Sequence, residues 1–367
     1  MPVPNISITM LGGSGAGKTV YLASLFDNLA IAGNSSSDCF FIKAEAEAQH
    51  TLTAIAARLI ERSSEWPRGT RTLNQWQFQC FIEKNNSHYL ACNFSYIDYA
   101  GGAISDVLDG GDASKRQELY KVISESNVLF GLIDGEKVLK IMKGIYDQDV
   151  VRFLSVDFKR ILIQISQSKP STPIHFIISK WDCLQELGSS FSLSDIRDKL
   201  MEEIPAFAAL VKNRGAGGKI RLIPVSSVGR GFVKFSEHPN GNISMVKSEN
   251  SRLQPFQVEV PLAYVLQDVL GSAVNELEQH IKELKGLKKL MFMIKSIFFS
   301  PLENMLPQGL SWITKKTADL ILQKHEDQQI SLLETVENEK EALLHLIACF
   351  KLITKRFEDK NSGSLLS

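Results

Sequence analysis

The chain has 367 residues, 44% of them hydrophobic and 22% charged, with 41 Lys and Arg balanced by 41 Asp and Glu. Balanced charge removes the global electrostatic case for a nucleic-acid partner, and this apolar content excludes a disordered chain while allowing one large or two moderate domains. The 5 cysteines are never spaced C-x-x-C and the 7 histidines show no ligand pairing, so neither a disulfide framework nor a zinc site is expected. Met1 to Asn5 lacks the basic region of a secretory leader, and no run of about 18 uncharged apolar residues occurs. The expectation is a cytoplasmic chain without a membrane-spanning helix.

Ile6 to Leu11 reads as a short buried strand that runs into Gly12-Gly13-Ser14-Gly15-Ala16-Gly17-Lys18-Thr19, a full match to G-x-x-x-x-G-K-[ST]. Leu22, Leu25, Phe26 and Leu29 then recur at helical spacing. Glycines in such a loop let backbone N–H groups converge on a phosphate, and the helix N-terminus adds its positive end. Lys18 is placed to reach β- and γ-phosphates and Thr19 to ligate Mg²⁺. Gly12, Gly13, Ser14, Gly15, Ala16, Gly17, Lys18, Thr19 and Val20 are therefore the expected phosphate-side contacts. The motif demands a nucleoside triphosphate and is silent on the base.

Ala44 to Glu65 predicts an Ala-rich helix with Leu52, Ile55, Leu59 and Ile60 on one face, followed by the loop Trp66 to Thr72. Gln77 to Glu83 alternates as a strand, Asn85-Asn86 supplies a turn, and Tyr89 to Ile97 returns as a second strand. That hairpin delivers Asp98-Tyr99-Ala100-Gly101-Gly102, a D-x-x-G pattern at a strand end. Asp98 is its Mg²⁺-side acid, and the N–H of Gly101 the candidate γ-phosphate contact. Val128 to Ile133 is a third apolar strand ending at Asp134-Gly135, and helical spacing continues over Lys137 to Gln167. Pro173 to Ile178 is the next strand and ends in Ser179-Lys180-Trp181-Asp182.

Here the chain resembles the guanine-recognition motif [NT]-K-x-D of the translation-factor and Ras-like class of P-loop GTPases. Guanine offers two donors, N1–H and the 2-amino group, which one carboxylate accepts together; adenine has no such donor edge. The resemblance assigns that carboxylate to Asp182 and lays the Lys180 stem along the base. Ser179 departs from the usual Asn or Thr, which puts affinity in question more than specificity. Ile220 to Val225, the last predicted strand, leads to Ser226-Ser227-Val228-Gly229, which resembles the loop lining the base in the same proteins, with Ser226 and Ser227 as contacts.

The resemblance covers roughly residues 5 to 235 and implies an α/β Ras-like P-loop NTPase fold, a mostly parallel sheet with helices on both faces, here with a C-terminal helical extension. It implies GTP and GDP as ligands, Mg²⁺ as cofactor, and a GTPase switch with a protein effector or activator. Trp66 to Thr72 falls in the position of the first switch. There Thr70 or Thr72 is a candidate Mg²⁺ and γ-phosphate contact, and Arg68 or Arg71 a candidate for transition-state charge; the alternative for each is a solvated turn. Gly102 stands where efficient hydrolysers carry Gln, so slow intrinsic turnover is expected. A non-hydrolysing GTP-binding scaffold and an ATP-driven effector, the latter motivated by Ser179, remain as alternatives. Gly12 to Leu25 and Asp98 to Gly102 further resemble the double-GTPase family of bacterial conflict systems, which implies effector control in such a system.

The remaining chain is expected to hold a helix over Leu193 to Val211 and an irregular hairpin over Phe232 to Leu253, at the edge of a GTPase domain spanning 1–253. A C-terminal helical region, 254–367, would begin with a helix over Pro255 to Leu284. Lys282 to Ser300 has the pattern of a basic amphipathic helix, which can rest on its own domain, a partner groove or an anionic membrane; the first is favoured. Thr317 to Asp359 reads as a long helix with an apolar stripe that can serve self-association.

Overall fold

The computed structural model describes residues 3–31, 40–61, 66–67, 74–84, 87–98, 113–214, 218–238, 243–249, 252–269 and 339–366. Its centre is a seven-stranded sheet in the order β2-β3-β4-β1-β5-β6-β7. Strands β1 (Asn5–Gly12), β5 (Val128–Asp134), β6 (Ile174–Ser179) and β7 (Ile220–Pro224) run parallel to one another and to β4 (Ser87–Asp98). Every residue of β5, β6 and β7 is buried, as expected of parallel strands covered on both faces. Strand β3 (Asn74–Lys84) turns back antiparallel on β4, and β2 (Phe41–Ala44) pairs antiparallel with β3 at the edge.

Alternation along β1 sends Ile6, Ile8 and Met10 into one apolar core, while Leu11 joins the other. The first core holds α1 (Lys18–Leu29), α2 (Ala46–Ile60), a helix over 260–269, and the C-terminal helix Glu339–Glu358. Phe350 of that last helix meets Phe40 and Phe94 at ring-centroid distances of 5.0 and 6.5 Å. Leu366 donates its N–H to the Ile220 carbonyl, so the chain end lies against β7. The second core is roofed by the helices between β4 and β7, among them Ala113–Glu125, Gly135–Met142, Phe158–Ile165 and Leu193–Glu203. The observed architecture is thus α/β, a mostly parallel sheet between two helical layers with C-terminal helices packed on one of them.

Three local expectations are corrected. The segment from Ala44 does not begin as a helix: Phe41 to Ala44 is strand, and α2 runs only from Ala46 to Ile60. Leu52 and Leu59 are buried as predicted, but Ile60 is 56% exposed because the helix ends there and its side chain falls off the apolar face. The helical run over 137–167 begins at Gly135, is interrupted after Met142, and contains a π-turn at Phe153–Asp157. Among the described residues no helix is long and apolar enough to cross a membrane. The amphipathic segment 282–300 lies outside the described residues.

Candidate functional site

Sheet register brings the motifs together. Met10 is level with Asp98, Gly12 with Leu132, Asp134 with Ser179, and Ile178 with Pro224. The glycine loop, Asp98, Asp134, the Ser179–Asp182 turn and Ser226 therefore all emerge at the carboxyl edge of the sheet, where open α/β sheets bind ligands. They are separated by long stretches of sequence and meet at that edge.

At the glycine loop, Gly15 and Gly17 adopt φ of 77° and 86°, a left-handed region that residues with side chains rarely enter. Gly17 caps α1, so the loop turns directly into the helix N-terminus. The Lys18 side chain is buried, and its ammonium donates to the carbonyls of Gly12 at 2.8 Å and Gly13 at 3.2 Å. Burial lowers its pKa, and the charge of Asp98 works against that shift. The Thr19 hydroxyl donates to Asp98 Oδ2 at 3.0 Å. Burial raises the Asp98 pKa, opposed by Lys18 and by the Thr19 bond, and its Oδ1 is buried without a partner among the described residues. A hydroxyl beside a carboxylate that still has an unused buried oxygen is a hard oxygen-donor set, and it fits Mg²⁺.

At the other end, Lys180 takes φ 51° at the start of the helix Trp181–Leu187. Its ammonium lies 2.9 Å from Asp134 Oδ2 and 3.6 Å from Glu136 Oε2. Burial disfavours this charge, but Asp134 and Glu136 outweigh burial and raise the pKa. Asp182 is 2% exposed, and its Oδ1 accepts from the Ser226 hydroxyl at 2.7 Å. Burial raises the Asp182 pKa, with the Ser226 bond pulling the other way. Ser226 Oγ in turn accepts from the Gly229 N–H at 2.8 Å, and Ser227 is tied to α1 through its carbonyl, which accepts from the Ser24 hydroxyl at 2.7 Å. Ser179 also borders the cavity, while its hydroxyl donates to the Ile133 carbonyl at 3.1 Å and bonds adjacent strand ends together.

A cavity of about 570 Å³ runs between the two ends. Of the expected contacts, Ser14, Gly15, Gly17, Lys18, Thr19, Val20, Lys180, Asp182 and Ser227 line it. Ser226 stands behind Asp182, and Gly12 is closed in by Leu132, 3.2 Å from where a Cβ would sit. Trp66 and Pro67 of the expected first-switch loop also line the cavity, whereas Arg68, Thr70, Arg71, Thr72, Gly101 and Gly102 lie outside the described residues.

Two sets of residues escape a reading of the sequence. Asp134 and Glu136 anchor Lys180, and the visible signal is an acidic residue and glycine closing an apolar strand. The hairpin β8 (Val233–Glu237) and β9 (Ile243–Lys247) also lines the cavity, with Val233, Phe235, Ile243 and Met245. Its sequence predicts only an irregular hairpin at a domain edge, because nothing in that stretch names the face it covers.

A glycine-rich loop from β1 into α1, an acid at the end of the neighbouring parallel strand, and a buried Asp after β6 define a Ras-like P-loop NTPase fold. No protein-family model matches this chain, and no curated protein matches it. Among solved structures, the chain is similar to "Signal recognition particle receptor SRb-GTP/SRX complex from Chaetomium thermophilum", with 13% identity over 63% of this chain and 94% of that one and a TM-score of 0.35. A likeness of that strength fixes no residue's role.

Proposed function

We propose that this chain binds GTP in the cavity and hydrolyses it slowly, as a switch read by a protein effector. The observation that carries this reading is one cavity with Lys18 and Thr19 at one end and the buried Asp182 carboxylate at the other. Lys18 exchanges its bonds to the Gly12 and Gly13 carbonyls for oxygens of the β- and γ-phosphates. Thr19 and Asp98 would hold Mg²⁺, whose chemistry at such a site is to neutralise charge on the phosphates. Asp182 accepts the paired donors of guanine while Ser226 fixes its plane, and Lys180, braced by Asp134 and Glu136, keeps its stem along the base. The resemblance at Gly12 to Leu25 and Asp98 to Gly102 extends the proposal to effector control in a bacterial conflict system.

Competition titration tests the base. GTP should bind at least about tenfold tighter than ATP, the worth of one charge-assisted bond pair; equal affinities would overturn the guanine assignment. Single-turnover phosphate release tests hydrolysis. With Gly102 offering no side chain to orient water, turnover should fall well below the roughly 10 s⁻¹ typical of enzymes, and no release at all would favour the non-hydrolysing scaffold.

A further inference from the structure

From the geometry of the β8–β9 hairpin we infer that it supplies the second face of the base slot, with Phe235 and Met245 packing on the purine opposite Lys180. The inference rests on the GTP reading above and adds residues to it. Register pairs Phe235 with Met245 and Glu237 with Ile243, so alternation puts Val233, Phe235, Ile243 and Met245 on one face of the hairpin, the face that lines the cavity with Lys180 and Asp182. The other face carries Lys234 and the 59% exposed Val246.

A two-stranded hairpin alone is marginal in water, so something must hold this one. Three anchors do. The Gly231 N–H donates to Glu186 Oε1 at 3.1 Å, on the helix that carries Asp182. Lys143 pairs with Glu237. Lys247 Nζ donates to the carbonyls of Arg58 and Glu61 at 2.9 and 3.2 Å, at the C-terminal end of α2. Where the chain enters the hairpin, Gly229 sits so close to Gln254 that an added Cβ would fall 1.9 Å from its carbonyl oxygen. The wall is therefore positioned before any ligand arrives. An apolar, partly aromatic wall that shares one cavity with a lysine stem and a buried carboxylate matches a flat heterocycle with a donor edge. The phosphates need none of this apolar surface.

The test is release of a fluorescent GDP analogue labelled on the ribose. Phe235→Ala and Met245→Ala should each speed release by about tenfold, the worth of an aromatic or apolar contact on a base. Phe235→Leu should recover part of the loss, and Lys234→Ala on the outer face should leave release unchanged. Phe235→Trp in a Trp66→Phe, Trp181→Phe background supplies a direct probe, since Trp66 lines the cavity and Trp181 lies between Lys180 and Asp182. Its emission should change on adding GDP by more than that of the background protein. Bound GDP should also slow amide exchange over 233–237 and 243–247. If the parent binds GDP but release from both alanine variants stays within about twofold of it, and the indole emission of the Phe235→Trp variant responds no more than that of the background protein, the hairpin wall is wrong while the GTP reading survives. If the parent binds no guanine nucleotide, the reading beneath it fails as well.

Discussion

The buried Lys18 ammonium, bonded among the described residues to the Gly12 and Gly13 carbonyls, is held at an electrostatic cost, which phosphate oxygens would relieve. Lys18→Ala should abolish triphosphate binding while the native circular dichroism persists, because the loop geometry comes from Gly15 and Gly17 and not from the ammonium. Unchanged GTP affinity in the folded variant would contradict the phosphate assignment. Asp182 makes a second prediction. Asp182→Asn should cost GTP about 1.5–3 kcal/mol and raise relative affinity for xanthosine triphosphate, whose 2-oxo group accepts from a carboxamide and repels a carboxylate. Burial raises the pKa of this carboxyl, and only the ionised form accepts both guanine donors. GTP affinity of the parent should therefore weaken on acidification, beginning above the usual carboxylate range near pH 4, and the Asn variant should show a flatter profile. Competition titrations across pH measure both effects.

At the scale of elements, the site depends on how closely the start of the helix Gly135–Met142 approaches the turn after β6. A Cβ on Gly135 would stand 2.1 Å from the Ser179 carbonyl oxygen and 3.1 Å from that of Lys180. Both are backbone atoms and cannot rotate away. Gly135→Ala should therefore separate β5 from the Ser179–Asp182 turn, destabilising the fold by about 1–3 kcal/mol and weakening GTP through displaced Lys180 and Asp182. Denaturant unfolding and a nucleotide titration check the two losses; a wild-type midpoint would show that the strands part at no cost. The Asp134 side chain binds the same two elements, accepting from the Glu136 N–H at 3.1 Å and from Lys180 at 2.9 Å.

Across the whole molecule, a buried ionic cluster ties the sheet to the C-terminal helices. Arg221 on β7 donates from Nε and Nη2 to Asp268 at 2.6 and 2.7 Å, and its guanidinium lies 3.7 Å from the Tyr264 ring centroid. The Tyr264 hydroxyl donates to Glu358 at 2.9 Å, and His175 on β6 lies 3.0 Å from Asp268. Arg221→Met would leave Asp268 buried with its main partner gone and should cost about 3–5 kcal/mol, measured by denaturant unfolding. Acid should act on the same cluster. Burial lowers the His175 pKa despite Asp268, so the unfolded chain binds the extra proton below about pH 6.5. Burial opposes ionisation of Asp268, yet Arg221 and His175 hold its pKa well below the usual range, so its stabilisation is lost as pH falls through the carboxylate region. Both signs agree within this cluster, while the raised pKa values of the buried Asp98 and Asp182 act in the opposite sense. The test is therefore a difference: between about pH 7 and 5 the parent should lose more stability than His175→Gln, and equal losses would contradict the assignment to His175.

The glycine loop, Asp98, the Ser179–Asp182 turn and Ser226 were legible in the sequence because each is a short contiguous pattern at the end of an apolar run. Local geometry and chemistry fix their residue types before any tertiary contact forms. Edge strand β2 was not legible: its four residues, Phe41 to Ala44, become strand only by pairing with β3, and the helix-forming Ala and Glu that follow dominate the local signal. Nor could the sequence assign Lys180 its partners, since Asp134 lies 46 positions away and is brought to it by the β5–β6 register. Lys247 meets the Arg58 carbonyl across 189 positions, and Arg221 meets Asp268 across 47. The tertiary structure alone decided which apolar surface lines the cavity that holds Lys180 and Asp182, and what fastens the C-terminal helices to the sheet. Those contacts join groups whose separation is set by sheet register and layer packing, and neither is written in any single stretch of chain.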